Sequence, residues 1–172
     1  TASHNPHDYN GFKVKGTAGG PLFEEDVKDI ENLINYENEI ELDLIKMESL
    51  IKKEVLTIGN IEDYYIQNIK EHFDVPLLQK NVDEFALDPM YGSGQNVFAR
   101  ILSGIKVIHN KHDFGFNGIP PEPLEKNLEE FIDFVKNTSN IKTGVALDGD
   151  ADRLALIDEE GKYIDSHTII LL

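Results

Sequence analysis

Residues 143–153, Thr-Gly-Val-Ala-Leu-Asp-Gly-Asp-Ala-Asp-Arg, join a short apolar segment to an acidic one. Thr143 to Leu147 is predicted to form a buried strand, with an aspartate directly at its carboxyl end. Carboxylates that converge in a loop repel one another unless a cation holds them, and hard oxygen ligands at this close spacing suit Mg²⁺. The stretch therefore predicts a strand that delivers a magnesium-binding loop of Asp148, Asp150 and Asp152, followed at once by the cation Arg153.

Strands alternate with helices on the amino-terminal side of this loop, and a further strand follows it. The predicted strands are Phe85–Asp88, Lys106–His109 and Leu154–Ile157, and the predicted helices run from about Gln95 to Ser103 and from Pro121 to Lys136. Such alternation predicts an α/β fold whose sheet is covered on both faces. Sites in such sheets gather beyond the carboxyl ends of the strands, which is where Asp148 falls.

The first eighty residues have a less regular pattern. A helix is expected from about Glu24 to Tyr36, because apolar residues recur at helical spacing behind three acidic residues. Short strands are expected at 11–15 and 54–58. A further helix is expected to begin after Asn60, an N-cap residue, and to end at Pro76. We place a domain boundary near residue 60.

Composition narrows the class of protein. The 172 residues carry a net charge of −16, which argues against partners such as nucleic acid or an anionic membrane. No run of about 18 apolar residues predicts a membrane span. Cysteine is absent, so disulfides are excluded, and a cytoplasmic location is expected.

A second chemically informative stretch opens the chain: Thr1-Ala2-Ser3-His4-Asn5-Pro6. Ser3 offers a hydroxyl nucleophile in a short polar loop. Alone, it is most simply interpreted as an ordinary turn serine. The acidic loop downstream favours a chemical role instead.

Residues 3–6 and 9–13, Ser-His-Asn-Pro and Tyr-Asn-Gly-Phe-Lys, resemble the phosphoserine loop of the α-D-phosphohexomutases, the phosphoglucomutase/phosphomannomutase family. Residues 148–153 resemble that family's metal loop, and the two motifs occur in the family's order. The resemblance implies a three-layer α/β/α domain with a mixed sheet at 61–172. A truncated α/β domain would precede it at 1–60. The chain would then be the end of domain 1 and most of domain 2 of a longer mutase.

The resemblance also implies a reaction and its residues. Phosphorylated Ser3 would interconvert sugar 1- and 6-phosphates through a bisphosphate, with Mg²⁺ as the cofactor. The implied partners are a hexose phosphate substrate and a bisphosphate activator. The implied metal ligands are Ser3, Asp148, Asp150 and Asp152, and the implied catalytic residues are Ser3, His4, Lys13 and Arg153. Because the family's sugar-selecting and phosphate-binding loops lie in its other domains, this chain alone is expected to be inactive.

Three alternatives stay open at this point. The aspartate spacing also fits an EF-hand, although that loop needs Gly where Arg153 stands. An aspartyl-phosphatase loop of the haloacid-dehalogenase type would make Asp148 the nucleophile, but it favours Gly-Thr after the second aspartate, where Ala151-Asp152 stands. The chain could also be a non-catalytic binding module that keeps the mutase motifs.

Overall fold

The computed structural model describes residues 12–34 and 45–171. These residues form two compact units that divide between Ile61 and Glu62. The assignment of the units to two domains of the resembling family stays a prediction.

The larger unit is built on one five-stranded sheet. Its strands are β1 (Phe85–Asp88), β2 (Lys106–Val107), β3 (Thr143–Leu147), β4 (Leu154–Asp158) and β5 (Tyr163–Ile164), in the order β2-β1-β3-β4-β5. β1 is parallel to β2 and β3, whereas β4 is antiparallel to both β3 and β5. The predicted α/β fold with a mixed sheet is thus confirmed. The sequence did not reveal β5, because two residues are too few for a detectable alternation.

One face of the sheet packs against the helix α6 (Glu129–Asn137). Phe131 and Val135 on this helix are buried against β3, where Gly144 leaves room for them. A Cβ at Gly144 would lie 2.7 Å from Val135 Cγ2 and 2.9 Å from Phe131 Cζ. Burying one such aromatic side chain is worth about 1.5–3 kcal/mol. This face holds the main apolar core: Ala86, Met90, Leu128, Phe131, Val135, Ile141, Ala146, Ala155 and Ile157.

The opposite face has its own buried residues. Leu87 and Leu147 alternate with Ala86 and Ala146, so their side chains point away from the α6 face. The turn after β1 packs here, since a Cβ at Gly94 would lie 2.7 Å from Leu147 Cδ1. The two-sided burial of β1 and β3 explains why residues 85–87 and 144–147 show no alternation of apolar and polar side chains.

The predicted helices of the larger unit are shorter than expected. Residues 95–103 yield α5 only over Val97–Ile101, after a 3₁₀ turn at Ser93–Gln95. Residues 121–136 yield a 3₁₀ turn at Glu125–Asn127 before α6 begins at Glu129. Prolines 121 and 123 keep the preceding segment extended. The chain's last described helix is α7 (Ser166–Ile170), capped by Asp165, whose Oδ1 accepts from the Thr168 N–H at 2.8 Å.

Two helices lead into the sheet. α3 spans Ile61–His72, and α4 spans Val75–Lys80. Pro76 lies inside the first turn of α4, so the expectation that it ends the preceding helix is wrong. Proline is tolerated there because a first-turn N–H has no helical partner. Asp74 caps α4 by accepting from the Leu77 N–H at 3.0 Å.

The smaller unit contains α1 (Glu24–Asn32) and α2 (Met47–Lys52). The strand expected at 11–15 is wrong over its described part, where Lys15 forms a single bridge to Pro21. The strand expected at 54–58 is also wrong, since those residues form a turn and irregular backbone. α1 stops at Asn32, so the helix expected to reach Tyr36 ends early. Across residues 12–34 and 45–171, no helix combines the length and the apolar character that crossing a bilayer would require.

Candidate metal centre

The acidic loop is the hairpin connection between β3 and β4, and its backbone closes on itself. The last pair of this ladder is Leu147 and Leu154. Beyond it, the Asp148 N–H donates to the Arg153 carbonyl at 3.1 Å, and the Ala151 N–H donates to the Asp148 carbonyl at 3.1 Å. Ala151 adopts a left-handed conformation (φ 62°) that turns the chain. The aspartates are therefore carried on a tight turn at the carboxyl end of a buried strand.

Asp148 is fully buried, and both of its carboxylate oxygens accept hydrogen bonds. Oδ1 accepts from the backbone N–H groups of Asp152 (3.0 Å) and Arg153 (3.1 Å), and Oδ2 accepts from Arg153 Nε at 2.9 Å. Burial by itself raises the pKa of the Asp148 carboxyl, but the hydrogen bonds and charge of Arg153 outweigh it and hold that pKa below its usual value. The Asp148 side chain is thus ionised and fixed in place.

The three aspartates converge. Asp148, Asp150 and Asp152 each offer a carboxylate oxygen, and these three atoms lie within 4.8 Å of one another. Partial desolvation and, after it, the neighbouring charges of Asp148 and Asp150 raise the pKa of Asp152. Hard oxygen donors crowded in this way match the preference of a divalent cation such as Mg²⁺, so the donor set fits the expected metal.

Arg153 lies between this cluster and a neighbouring loop. Besides its bond to Asp148, its Nη1 lies 3.6 Å from Glu122 Oε1 and its Nε lies 3.8 Å from Asp152 Oδ1. Its Nη2 is buried and has no hydrogen-bond partner among the described residues. The guanidinium is therefore oriented by carboxylates on two sides and keeps donor capacity.

Two further turns hold the acidic loop from outside. The Ser93 N–H donates to the Gly149 carbonyl at 2.9 Å, and the Gly149 N–H donates to the Pro121 carbonyl at 3.1 Å. At Gly92 a Cβ would lie 2.6 Å from the Gly149 oxygen, so only glycine permits this approach. In the sequence, the two glycines of residues 92–94 indicate a turn, but nothing there connects it with the aspartates. The Gly-Ser-Gly pattern could suggest a close backbone approach but not its partner.

The structure brings together only part of the expected site. Asp148, Asp150, Asp152 and Arg153 share one loop, whereas Ser3 and His4 lie outside the described residues. Lys13 is exposed and belongs to the smaller unit. The roles expected for Ser3, His4 and Lys13 therefore stay predictions.

The EF-hand and the aspartyl-phosphatase loop, the two alternatives for residues 148–153, fit this geometry poorly. An EF-hand needs a helix after its loop, but the strand β4 begins at Leu154. An aspartyl-phosphatase needs an accessible nucleophilic oxygen, but Asp148 is 0% exposed and hydrogen-bonded at both oxygens. Asp148 is thus placed to organise the loop rather than to attack a substrate.

Comparisons with known proteins agree with the arrangement. Residues 63–161 match the family model of the α/β/α domain II of phosphoglucomutase/phosphomannomutase, and residues 1–41 match that of domain I. The chain is 38% identical to a phosphoglucosamine mutase of Methanococcus maripaludis (strain C5) over 96% of its own length and 36% of the relative. It is 35% identical to a phosphoglucomutase/phosphomannomutase of Thermococcus kodakarensis over 95% of its length and 35% of the relative.

Solved structures agree as well. A crystal structure from Thermus thermophilus, provisionally named a phosphomannomutase, superimposes with a TM-score of 0.74 at 29% identity. This match covers 97% of the chain and 37% of that structure. The chain thus spans only about a third of the length of the relatives it matches. On the strength of the matched domain models and these relatives, the chain belongs to the phosphoglucomutase/phosphomannomutase family.

Proposed function

We propose that the intact protein containing this chain is a phosphohexomutase that interconverts sugar 1- and 6-phosphates. The observation that carries the proposal is the convergence of Asp148, Asp150 and Asp152 within 4.8 Å on the loop after β3, in a chain of this family. Relatives named phosphoglucosamine mutase and phosphoglucomutase/phosphomannomutase support the reaction class. In this proposal residues 1–60 are the end of domain 1 and residues 61–172 are most of domain 2, as the matches to domain I and domain II suggest.

Ser3 is the group that carries phosphate in this reaction. Its phosphoryl group passes to a free hydroxyl of the sugar monophosphate, which becomes a bisphosphate while Ser3 regains its hydroxyl. The bisphosphate reorients, and its other phosphate returns to Ser3. A sugar bisphosphate would serve as the activator that restores phosphorylated Ser3. Each transfer breaks one O–P bond and forms one, so the sugar is isomerised without a net change in phosphate.

The proposed metal ligands are Asp148, Asp150, Asp152 and Ser3. Bound there, Mg²⁺ would supply positive charge against the phosphoryl group and the aspartates. Of the three aspartates, Asp148 contributes most to the geometry of the loop, because it is the fully buried one and accepts from the Asp152 and Arg153 N–H groups.

Arg153, Lys13 and His4 are the proposed catalytic residues besides Ser3. The Arg153 guanidinium is fixed at Nε by Asp148, and its side chain is 40% exposed, so its positive charge would stabilise the transferred phosphoryl group. His4 follows Ser3 directly, and Lys13 is the last residue of the same phosphoserine-loop motif. They would hold charge near the phosphoryl group and move the proton of the reacting hydroxyl.

Intact-mass spectrometry of the whole protein tests this assignment. We expect one phosphoryl group that maps to Ser3, lost together with mutase activity in Ser3→Ala and kept in the control Thr1→Ala. Activity that survives Ser3→Ala but not Asp148→Asn would instead indicate an aspartyl-phosphatase. If the protein carries no phosphoryl group and shows no Mg²⁺-dependent thermal shift, those two results together would indicate a non-catalytic binding module.

The chain of 172 residues by itself is expected to turn over little or no glucose 1-phosphate. It spans 36% of the Methanococcus relative, so the groups that select the sugar and bind its distal phosphate would come from elsewhere. Full mutase activity of these residues alone would contradict that expectation.

A further inference from the structure

A second charged array lies in the turns next to the metal loop. Asp88, the last residue of β1, is 1% exposed, and its Oδ2 lies 2.9 Å from His109 Nδ1. Because an ionised carboxylate only accepts hydrogen bonds, His109 Nδ1 is the donor. The other ring nitrogen, Nε2, lies 3.3 Å from Glu130 Oε2 at the start of α6. His109 thus links the end of β1, the loop after β2 and the first turn of α6.

The backbone around this array is held in an uncommon conformation. Met90, Tyr91 and His109 have φ values of 46°, 60° and 50°, all in the left-handed region. Side-chain-bearing residues adopt this region at a cost, and they keep it only where surrounding contacts impose it. Here the contacts are visible. The Met90 N–H donates to Asp88 Oδ1 at 2.8 Å, and the Tyr91 N–H donates to the His109 carbonyl at 3.1 Å.

The same turn also stacks on the histidine. The Tyr91 ring lies 4.8 Å from the His109 ring at an interplanar angle of 29°. His109 therefore restrains the turn 89–94 through three contacts. Its Nδ1 is hydrogen-bonded to Asp88, its carbonyl accepts from the Tyr91 N–H, and its ring stacks on the Tyr91 ring. A substitution that removes the imidazole would release the bond to Asp88 and the stack together.

This turn is also the one that touches the metal loop. Two residues beyond Tyr91, the Ser93 N–H donates to the Gly149 carbonyl, and Gly92 is in direct backbone contact with Gly149. Gly149 lies between Asp148 and Asp150 in the sequence. Only two backbone hydrogen bonds, Tyr91 to His109 and Ser93 to Gly149, thus separate the histidine from the aspartate turn.

We propose that His109 is a positioning residue for the metal loop: held by its hydrogen bond to Asp88, it fixes the turn 89–94, and that turn fixes Gly149 and the aspartates on either side of it. His109 itself contributes no ligand. The proposal rests on the metal site of the proposed function, but the positioning can be measured without metal. Outer residues that orient a metal site typically change metal affinity by about 10- to 100-fold when they are removed.

A purely structural role is the competing explanation, and a matched variant separates the two. Val135→Ala removes buried volume from the same unit, but it lies on α6 against Gly144 in β3, away from the Asp148 end of that strand. It destabilises the fold but removes none of the hydrogen bonds and ring contacts described above for the turn 89–94. His109→Asn is the conservative variant, because asparagine tolerates left-handed backbone and its side-chain N–H can still reach Asp88.

The experiment uses the whole protein and two readouts: the Kd for Mn²⁺ from electron paramagnetic resonance, and hydrogen exchange at the Ser93 and Asp152 amides relative to β3 amides. For His109→Ala we expect an increase in Kd of about tenfold and a selective acceleration at both amides. Val135→Ala should change the Kd less than about twofold and should leave the relative exchange unchanged, on the same reasoning. His109→Asn should recover most of the affinity.

The proposal is overturned if His109→Ala changes Kd and relative exchange no more than Val135→Ala does. A His109→Asn variant as weak as His109→Ala would overturn the assignment of the Asp88 hydrogen bond as the holding contact. If the unaltered protein binds no Mn²⁺, the metal site of the proposed function fails. The exchange rates at Ser93 and Asp152 alone then decide whether His109 positions the loop.

Discussion

Arg153 Nε donates to the buried Asp148 Oδ2 at 2.9 Å, so the cation that follows the acidic loop stabilises its first carboxylate. The two residues are five positions apart, so the hydrogen bond joins the two ends of the acidic loop. Asp148 and Asp152 therefore differ in environment, because the Asp148 side chain is 0% exposed whereas the Asp152 side chain is 67% exposed. Removing one aspartate or another should therefore have different consequences for folding.

Asp148→Asn should destabilise the fold, because the amide cannot accept from Arg153 and from both backbone N–H groups as the carboxylate does. A lost charge-assisted hydrogen bond costs about 1.5–3 kcal/mol. Asp152→Asn should leave the free energy of unfolding without metal unchanged or slightly higher, because it removes a negative charge that faces Asp148 and Asp150. Both variants should weaken Mn²⁺ binding.

Chemical denaturation without metal and Mn²⁺ titration of each variant measure these effects. Equal destabilisation by Asp148→Asn and Asp152→Asn would mean that the buried hydrogen bonds of Asp148 do not organise the loop.

Gly92→Ala should disrupt the contact between the turn after β1 and the metal loop. A Cβ at this position would lie 2.6 Å from the Gly149 oxygen and 2.9 Å from its Cα, and backbone atoms cannot rotate away. We expect a loss of about 1–3 kcal/mol in stability, as for other forced overpacking. Gly59→Ala is the control, because nothing lies within 4 Å of a Cβ there.

Thermal denaturation of the two alanine variants gives the comparison. A Gly92→Ala protein with the same Tm as Gly59→Ala would show that the two loops do not approach in solution as they do here.

His109 should give the protein a pH-dependent stability. Its hydrogen bond to Asp88 is the main reason that the pKa of His109 is raised; burial opposes the shift and Glu130 assists it. A folded pKa above the unfolded value of about 6.5 means that the stabilisation is complete below that pH. It is then lost as the pH rises through the folded pKa. Tyr91 also faces the ring, which it stacks on at 4.8 Å.

An NMR titration of the His109 ring in two isosteric variants tests the cause of this shift. Asp88→Asn should lower the His109 pKa more than Glu130→Gln does, because Asp88 is buried at 2.9 Å and the Glu130 side chain is 73% exposed at 3.3 Å. The opposite order would show that Asp88 is not the dominant partner.

Phe131→Ala should be among the most damaging changes on α6. Phe131 is 0% exposed and packs on β3 at Gly144, so its loss leaves a cavity and should cost about 3–5 kcal/mol. Phe134→Ala, three residues along the same helix and only partly buried, should cost less. Urea unfolding of both variants compares them. Equal costs would mean that α6 does not present the Phe131 side to the sheet.

Part of the site could be predicted from the sequence, namely the residues that are close together along the chain. Asp148, Asp150 and Asp152 are close in sequence on a short loop, so local geometry alone brings them together. His109 is different. Its link to the loop depends on Asp88, which is 21 positions away in the sequence. It also depends on a turn in which Met90 and Tyr91 are left-handed, and because neither residue is a glycine, the sequence does not indicate that conformation.

By itself, the sequence determined the α/β class, the strands Phe85–Asp88 and Thr143–Leu147, and the loop that follows the second of them. Those features depend on runs of apolar residues and on neighbours along the chain. Only the tertiary structure decided the antiparallel pairing of β4 and β5, the shortening of the helices at 97–101 and 129–137, and the contact of Gly92 with Gly149. The reason is that packing between distant segments, rather than local preference, sets strand partners, helix ends and backbone contacts.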